Sequence, residues 1–273
     1  TTKKTLDLSD EKKCFDFVLK YKPDWVINCG AYTNVDKAEI EYDIAYKINA
    51  LAPLAFAKAL LITGGKLLQI STDYVFDGKE SQPYSVDHDK NPINSYGKSK
   101  SIGEDLIKNI LVSKNQAIIL RTSWIMGTYG KNFLTKVKKL ISERDELNVV
   151  SDQIGCPTFT KSLANLCWKI IMNEKLIFSQ NMDLPIFHFS ESGSASWYDI
   201  AVAIKEICKE FDLLKNYAII KPVSYEEFNK NTLRPNFSVL DNSKIINLLQ
   251  IPQLYWREAL KDSLIEFHRK HNG

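Results

Sequence analysis

A tyrosine and a lysine four residues apart could form a proton-donor site in this chain. They are Tyr96 and Lys100, in the segment NSYGKSK at 94–100. Side chains at positions i and i+4 of a helix lie on one face, so both polar ends could reach one reacting atom. The alternative is a solvated helix start, with Asn94 or Ser95 as N-cap and both lysines in water. The pattern alone is a weak indication of a site.

A second polar segment follows an apolar run and could face the first. The segment QISTDYVFDG contains Thr72 and Asp73. A cation near a phenol favours the phenolate, so Lys100 would let Tyr96 exchange a proton near neutral pH. The hydroxyl of Thr72 could hydrogen-bond a carbonyl oxygen as that oxygen gains charge. Alone, Thr72 and Asp73 would indicate a turn that closes a strand. Their convergence with Tyr96 favours a catalytic group.

A parallel sheet is predicted to position these residues. Apolar runs of strand length alternate with segments of helical period, which is typical of a parallel sheet with helices on both faces. The predicted strands are 24–31, 66–72, 116–124, 147–152 and 185–190. The predicted helices are 10–21, before the first strand, and 43–62, 97–110, 131–143 and 160–173 between the strands. Ligands of such sheets bind at the C-terminal strand ends. Those ends carry the polar segments NCGAYTNVD, STDYVFDG and RTSW.

The residues after 190 indicate a smaller lobe packed on the sheet. They comprise a predicted helix at 196–211, a strand at 217–224 and a helix at 255–270. A cleft between two lobes is the usual place for a ligand.

The composition is typical of an ordinary folded globular protein. Hydrophobic residues make up 44% and charged residues 25% of 273, and the net charge is +3. We expect no nucleic-acid partner, because the basic residues form no stripe. We also expect no membrane span, since no segment approaches about 20 apolar residues. Five cysteines without C-x-x-C spacing indicate reduced thiols and a cytoplasmic protein. The four histidines are scattered, so no zinc site is predicted, and His188 is expected in the core.

Six segments in this order resemble the extended short-chain dehydrogenase/reductase family and, within it, the dTDP-4-dehydrorhamnose reductases. They are NCGAYTNVDKAE, ISTDYVFDG, YGKSKxxGE, LRTSW, SDQIGCPT and RPNFSVLD. The resemblance implies an α/β fold, with a Rossmann-type doubly wound parallel sheet and a smaller α/β substrate lobe. It would divide the chain into a dinucleotide-binding core at 1–126 and 150–190 and a substrate lobe at 127–149 and 191–273.

The resemblance also implies an activity and a set of site residues. The activity is NAD(P)H-dependent reduction of the C4 keto group of dTDP-4-dehydro-L-rhamnose to dTDP-L-rhamnose, with Tyr96 as proton donor. The catalytic residues would be Thr72, Tyr96 and Lys100. The cofactor-binding residues would be Asp7, Leu8, Gly30, Ala31, Tyr32, Thr33, Asn49, Tyr96 and Lys100. The substrate-binding residues would be Thr72, Asp73, Tyr96, Trp124 and Arg234.

Three of these residues have a structural alternative that the sequence leaves open. Asn49 matches a helix asparagine of the family, and it could equally be a plain polar residue on a helix. The Trp124 indole offers a flat apolar face to a sugar or base, although it could be a core aromatic. Arg234 could meet a diphosphate as a bidentate donor or form a surface ion pair.

The glycine-rich turn of the family, G-x-x-G-x-x-G, does not occur in this sequence. In the family that turn and the following helix hold the pyrophosphate. Gly64 and Gly65 follow a helix, which is typical of a C-cap. Aligning TLDLSD after the family's third strand leaves about forty residues unmatched. We therefore expect an N-terminally truncated chain, without the first strand-helix units, that binds cofactor weakly or not at all and is itself inactive.

Other functions and partners stay open on the same scaffold. One alternative is a nucleotide-sugar epimerase, and another is a non-catalytic regulatory subunit, as the β subunit of methionine adenosyltransferase resembles these reductases. The expected cofactor is NADPH or NADH, because the residue that distinguishes them follows the second strand of the family. Magnesium, which some family members use, has no supporting acidic cluster here. The expected partner is a dTDP-sugar, and a homodimer stays open.

Overall fold

A central sheet and a smaller lobe make up the part of the chain that the structure describes. The computed structural model describes residues 1–228 and 232–272. The strands are β1 (Trp25–Asn28), β2 (Lys66–Thr72), β3 (Ala117–Thr122), β4 (Ile125–Met126), β5 (Glu146–Val150), β6 (Ile154–Gly155), β7 (Thr158–Phe159), β8 (Ile186–Phe189), β9 (Ala195–Ser196) and β10 (Ile219–Val223). The α-helices are α1 (Glu11–Tyr21), α2 (Val35–Ala38), α3 (Tyr42–Tyr46), α4 (Ala52–Thr63), α5 (Ser95–Leu111), α6 (Phe133–Glu143), α7 (Thr160–Met172), α8 (Glu174–Phe178), α9 (Trp197–Glu210), α10 (Tyr225–Phe228), α11 (Ser243–Leu249) and α12 (Trp256–Asn272). A π-helix at Lys47–Leu51 joins α3 to α4, and a 3-10 turn at Asp73–Val75 follows β2.

The main sheet is parallel, with the strand order β1-β2-β3-β8. Alternate residues of its strands enter different cores, because successive side chains point to opposite faces. Leu67 and Ile119 pack under α1, α4 and α5, whereas Leu68 and Ile118 pack under α7 and α11. All residues of β3 are buried, as a sheet covered on both faces requires. The predicted α/β fold with a parallel sheet is confirmed.

The predicted strand at 147–152 does not belong to this sheet, and that expectation is wrong. It forms β5, which pairs in parallel with β10 in a separate two-stranded sheet. The residues of β5 alternate between exposed and buried over Glu146–Val149. This pattern is typical of a strand that is covered on one face only.

The smaller lobe has its own hydrophobic core. Helices α6, α9 and α12 pack around β5, with Leu134, Ile204 and Leu260 fully buried among them. Ile245 of α11 packs instead in a core of the main sheet, although it falls within 191–273. The boundaries of the two lobes remain a prediction.

One helical segment is more apolar than we expected from the sequence. Residues Tyr42–Thr63 form a helix of 22 residues with a mean hydropathy of 1.3 in its most apolar window, enough in length and composition to cross a membrane. The expectation that no segment reaches these limits is therefore wrong. The apolar residues have a place in the fold, since 56% of that window is buried and α4 packs against α1 and α5.

The cysteines and His188 lie as the sequence indicated. All five cysteines are free thiols, and four of them are buried. His188 is fully buried, with Nδ1 3.0 Å from the Tyr84 carbonyl oxygen and Nε2 3.3 Å from Arg121 Nη1. Burial lowers the pKa of His188 to about 3, so the ring is a neutral core residue.

Candidate active site

Helix α5 carries Tyr96 in its first turn and Lys100 one turn later. Asn94 caps this helix, because its side chain accepts a hydrogen bond from the Gly97 amide at 2.8 Å. Lys100 is only 5% exposed, and its Nζ donates to the Ile70 carbonyl oxygen at 2.7 Å. The alternative of a solvated helix start is therefore wrong for Lys100.

Two glycines let α5 pack closely against the turn after β2 and against the π-helix. A Cβ atom on Gly97 would lie 2.1 Å from the Tyr74 carbonyl oxygen, and one on Gly103 would lie 2.3 Å from that of Asn49. A larger residue at either position would push the helix away from these backbones. The close approach brings the Tyr96 ring edge-on to Tyr74, with the ring centroids 5.7 Å apart.

Thr72, Asp73 and Tyr96 meet at the C-terminal end of β2. The Thr72 hydroxyl donates to Asp73 Oδ1 at 3.0 Å and accepts from the Tyr74 amide at 3.2 Å. The Thr72 hydroxyl also acts on Tyr96, because its interaction with the phenol lowers the pKa of Tyr96. Thr72 and Asp73 are 5% and 2% exposed. The structure thus brings together the two polar segments that the sequence analysis singled out.

The surroundings of this group shift the pKa of each titratable member. Burial raises the pKa of Asp73 to about 6, although the Ser238 and Thr72 hydroxyls oppose the shift. Burial also raises the pKa of Tyr96 to about 12. The charge of Asp73 adds to this shift, whereas the Thr72 hydroxyl opposes it. The phenol therefore holds its proton at neutral pH.

The expectation that Lys100 lowers the pKa of Tyr96 is wrong for this structure. Burial lowers the pKa of Lys100 to about 8, and the charge of Glu104 opposes that shift. The pKa of Tyr96 is set by burial, by Thr72 and by Asp73, and Lys100 is not among these causes. The Lys100 ammonium instead lies against the Ile70 carbonyl oxygen. The sequence could not show this, because i,i+4 spacing fixes a shared helix face and not a contact.

A buried ion pair anchors α5 to β3, and the sequence analysis missed it. Arg121 Nη2 donates to Glu104 Oε2 at 2.7 Å and Arg121 Nε donates to Glu104 Oε1 at 3.0 Å, while Ser71 also donates to Glu104. Burial would raise the pKa of Glu104, but the charge and hydrogen bonds of Arg121 hold it below its ordinary value. Glu104 follows Lys100 by four residues, which was the available signal for its position on the same face.

Asn49 links the loop after β1 to α5. Its amide accepts from the Tyr32 backbone N–H at 2.9 Å and donates to the Tyr32 carbonyl oxygen at 3.0 Å and to Ser99 Oγ at 2.9 Å. Asn49 is 2% exposed and lies in the π-helix. These bonds favour a role in holding the loop over the alternative of a plain polar residue on a helix.

A cavity of about 900 Å³ opens beside β1 and the loop that follows it. On its other edge β1 pairs with β2. Six of the predicted cofactor residues line the cavity: Asp7, Leu8, Gly30, Ala31, Tyr32 and Thr33. A Cβ on Gly30 would lie 2.4 Å from Leu8 Cδ1, so glycine keeps this wall closely packed. The residues present fit one wall of a dinucleotide cleft, and the glycine-rich phosphate turn is absent from the sequence.

Trp124 lies in an aromatic cluster at the border of the two lobes. Its ring stacks on that of Trp197, with centroids 3.7 Å apart and 12° between the planes. A Cβ on Gly155 would come within 2.6 Å of the same ring. Trp197 thus covers one face of the indole. This packing supports the core-aromatic alternative for that face, and substrate contact by Trp124 remains a prediction.

Arg234 pairs with a residue of the sheet lobe. Its Nη2 donates to both carboxylate oxygens of Asp36, at 3.0 and 3.1 Å. Its guanidinium also lies over the Tyr225 ring, 5.6 Å from the centroid. The Nε atom is buried and has no hydrogen-bond partner among residues 1–228 and 232–272. The ion-pair alternative is therefore realised here, and diphosphate binding by Arg234 remains a prediction.

No three His, Cys, Asp or Glu side chains in the described ranges form a group that could hold a metal ion.

Known proteins resemble this chain over nearly its whole length. The model of the RmlD substrate binding domain family matches residues 1–269. The spore coat polysaccharide biosynthesis protein SpsK of Bacillus subtilis (strain 168) is 41% identical over 97% of this chain and 87% of that protein. A dTDP-4-dehydrorhamnose reductase of Aggregatibacter actinomycetemcomitans is 37% identical over 94% of this chain and 86% of that protein.

A solved structure has a closely similar fold. The crystal structure of dTDP-4-dehydrorhamnose reductase from Bacillus anthracis str. Ames, in complex with NADP, superposes with a TM-score of 0.86 at 36% identity. The match covers 97% of this chain and 89% of that one.

Proposed function

The chain belongs to the RmlD substrate binding domain family, and from this premise we propose that it is an NAD(P)H-dependent reductase of a nucleotide sugar. The proposed reaction reduces the C4 keto group of dTDP-4-dehydro-L-rhamnose to dTDP-L-rhamnose. The observation that carries the proposal is the convergence of Thr72, Asp73 and Tyr96 on one strand end. The names of the relatives support the class of substrate.

The cofactor would lie against the loop after β1 and the start of α5. The cavity-lining residues Gly30 to Thr33 would contact it, and Lys100 would contact the nicotinamide ribose. Asn49 would keep that loop in place through its bonds to the Tyr32 backbone. A bound reduced nicotinamide supplies the hydride that the carbonyl carbon accepts.

Tyr96 would complete the reduction by donating its phenolic proton to the carbonyl oxygen. The raised pKa of Tyr96 keeps that proton in place until negative charge develops on the substrate oxygen. Thr72 would be the hydrogen-bond partner of Tyr96 in this step. Trp124 and Arg234 are the proposed contacts of the sugar nucleotide. The proposed compartment is the cytoplasm, where all five free thiols stay reduced.

A substrate panel tests this proposal. The protein is assayed for NADPH and NADH oxidation over a wide cofactor range with dTDP-4-dehydro-L-rhamnose and, as matched control, dTDP-4-dehydro-6-deoxy-D-glucose. With cofactor bound, we expect oxidation with the first sugar and dTDP-L-rhamnose as the product. Sugar inversion without net cofactor oxidation would instead indicate an epimerase. Cofactor binding without turnover of any sugar would indicate the regulatory alternative.

A further inference from the structure

The hydroxyl of Thr72 has one hydrogen and two oxygens that compete for it. Asp73 Oδ1 lies 3.0 Å away and accepts that hydrogen in the structure. The Tyr96 oxygen is the second group on which the hydroxyl acts, since its interaction with the phenol lowers the pKa of Tyr96. The Tyr74 amide occupies one acceptor position of Thr72 at 3.2 Å. A hydroxyl donates only one hydrogen, so Thr72 can donate to Asp73 or to Tyr96 but not to both.

The second carboxyl oxygen of Asp73 is buried without a partner. Asp73 Oδ2 has no hydrogen bond among the residues that the structure describes, and the side chain is 2% exposed. An ionised carboxylate in this position leaves a charged oxygen desolvated, whereas the neutral acid has a hydrogen to donate. The site therefore favours a carboxylic acid that donates to Thr72.

Few titratable groups face Asp73. Tyr74 on the same turn and Tyr96 on α5 are the groups whose pKa the charge of Asp73 raises. The charge of Arg234 acts on the pKa of Tyr74 in the opposite direction. The Ser238 hydroxyl contacts Asp73 and lowers its pKa. The protonation of Asp73 thus affects Thr72 and the proton donor directly.

We propose that Asp73 is a positioning residue that sets which way the single Thr72 hydrogen points. This inference rests on the proposed reductase function. As a carboxylic acid, Asp73 donates to Thr72 Oγ1, and the Thr72 hydrogen turns to the Tyr96 oxygen. There it stabilises the phenolate that forms when Tyr96 gives its proton to the substrate oxygen. As a carboxylate, Asp73 takes the Thr72 hydrogen, and its charge opposes formation of the phenolate.

The position of this switch on the pH scale follows from burial. Burial raises the pKa of Asp73 to about 6, and exclusion of water by a bound substrate raises it further. The acid form is active, so kcat should fall as the pH rises through this pKa. The fall approaches about tenfold per pH unit once Asp73 is mostly ionised.

The test compares the pH profile of kcat in the wild type and three variants. Asp73→Asn puts an uncharged donor beside Thr72, so the fall in kcat should disappear while turnover remains. Ser238→Ala removes a hydroxyl that lowers the pKa of Asp73, so the fall should move to higher pH. Asp77→Asn makes the same change four residues along the chain, away from Thr72, and should leave the profile as in the wild type.

Two results would overturn the proposal. One is a wild-type pH profile that persists in Asp73→Asn, and the other is loss of turnover at every pH in that variant. Infrared difference spectra between the wild type and Asp73→Asn give a readout that needs no activity. They should show a carboxylic-acid band that vanishes near pH 6 or above. A wild type that binds NADPH but turns over no nucleotide sugar would refute the reductase function, whereas absence of this band would refute the role of Asp73.

Discussion

At the scale of single residues, the raised pKa of the buried acid Asp73 should make stability depend on pH. The pKa of Asp73 is about 6 in the fold against an ordinary value of 3.8. Between these values the folded protein binds a proton that the unfolded chain has released. Stability therefore falls as the pH rises from 3.8 to about 6 and is level above.

Asp73→Asn should remove this loss of stability, because asparagine carries no charge. The variant should unfold at higher urea concentration than the wild type above pH 6, by up to about 3 kcal/mol in free energy of unfolding. The advantage should shrink toward pH 4. Denaturant unfolding at several pH values measures it.

Asp77→Asn provides the control of opposite sign. Burial would raise the pKa of Asp77, but hydrogen bonds from the Lys79 amide and the Asn91 and Tyr84 side chains hold it below its ordinary value. That variant should lose stability relative to the wild type as the pH rises. An advantage for Asp73→Asn that stays constant over this range would contradict the raised pKa.

At the scale of elements, the position of α5 decides where the site residues lie. The Glu104 and Arg121 side chains join α5 to β3, and both are at most 3% exposed. Removing one partner of a buried pair leaves the other charge without compensation, which is strongly destabilising. Replacing both by apolar residues removes that penalty.

Glu104→Gln should therefore destabilise the protein by about 3–5 kcal/mol. The double variant Glu104→Leu with Arg121→Met should cost less than Glu104→Gln alone, since neither charge remains buried. Equilibrium unfolding of Glu104→Leu, of Arg121→Met and of their double variant gives the coupling energy between the two side chains. Strictly additive losses would show that the pair does not hold α5 in place.

The elements themselves were largely predictable, because apolar runs and helical period are local signals. The strands β1, β2, β3 and β8 and the helix α5 that carries Tyr96 lie where these signals indicated. The place of β5 was not predictable, since its partner β10 follows about seventy residues later and either sheet could have taken it.

At the scale of the whole molecule, the site depends on contacts between distant parts of the chain. Arg234 and Asp36 are 198 residues apart, and the Asn94 side chain donates to the Leu233 carbonyl oxygen across 139 residues. Such pairs leave no periodic trace in a sequence. The resemblance to a family indicated which segments converge, but not that Arg234 pairs with Asp36 or that Lys100 donates to Ile70.

The measurement that tests the central claim most directly separates turnover from cofactor binding in Tyr96→Phe. The neighbouring variant Tyr74→Phe removes a hydroxyl from the adjacent ring and serves as the matched control. We expect Tyr96→Phe to lose at least about a hundredfold in kcat, with NADPH affinity within a few-fold of the wild type and Tyr74→Phe close to the wild type in both. Wild-type turnover in Tyr96→Phe would contradict the account, because its proton donor would then lie elsewhere.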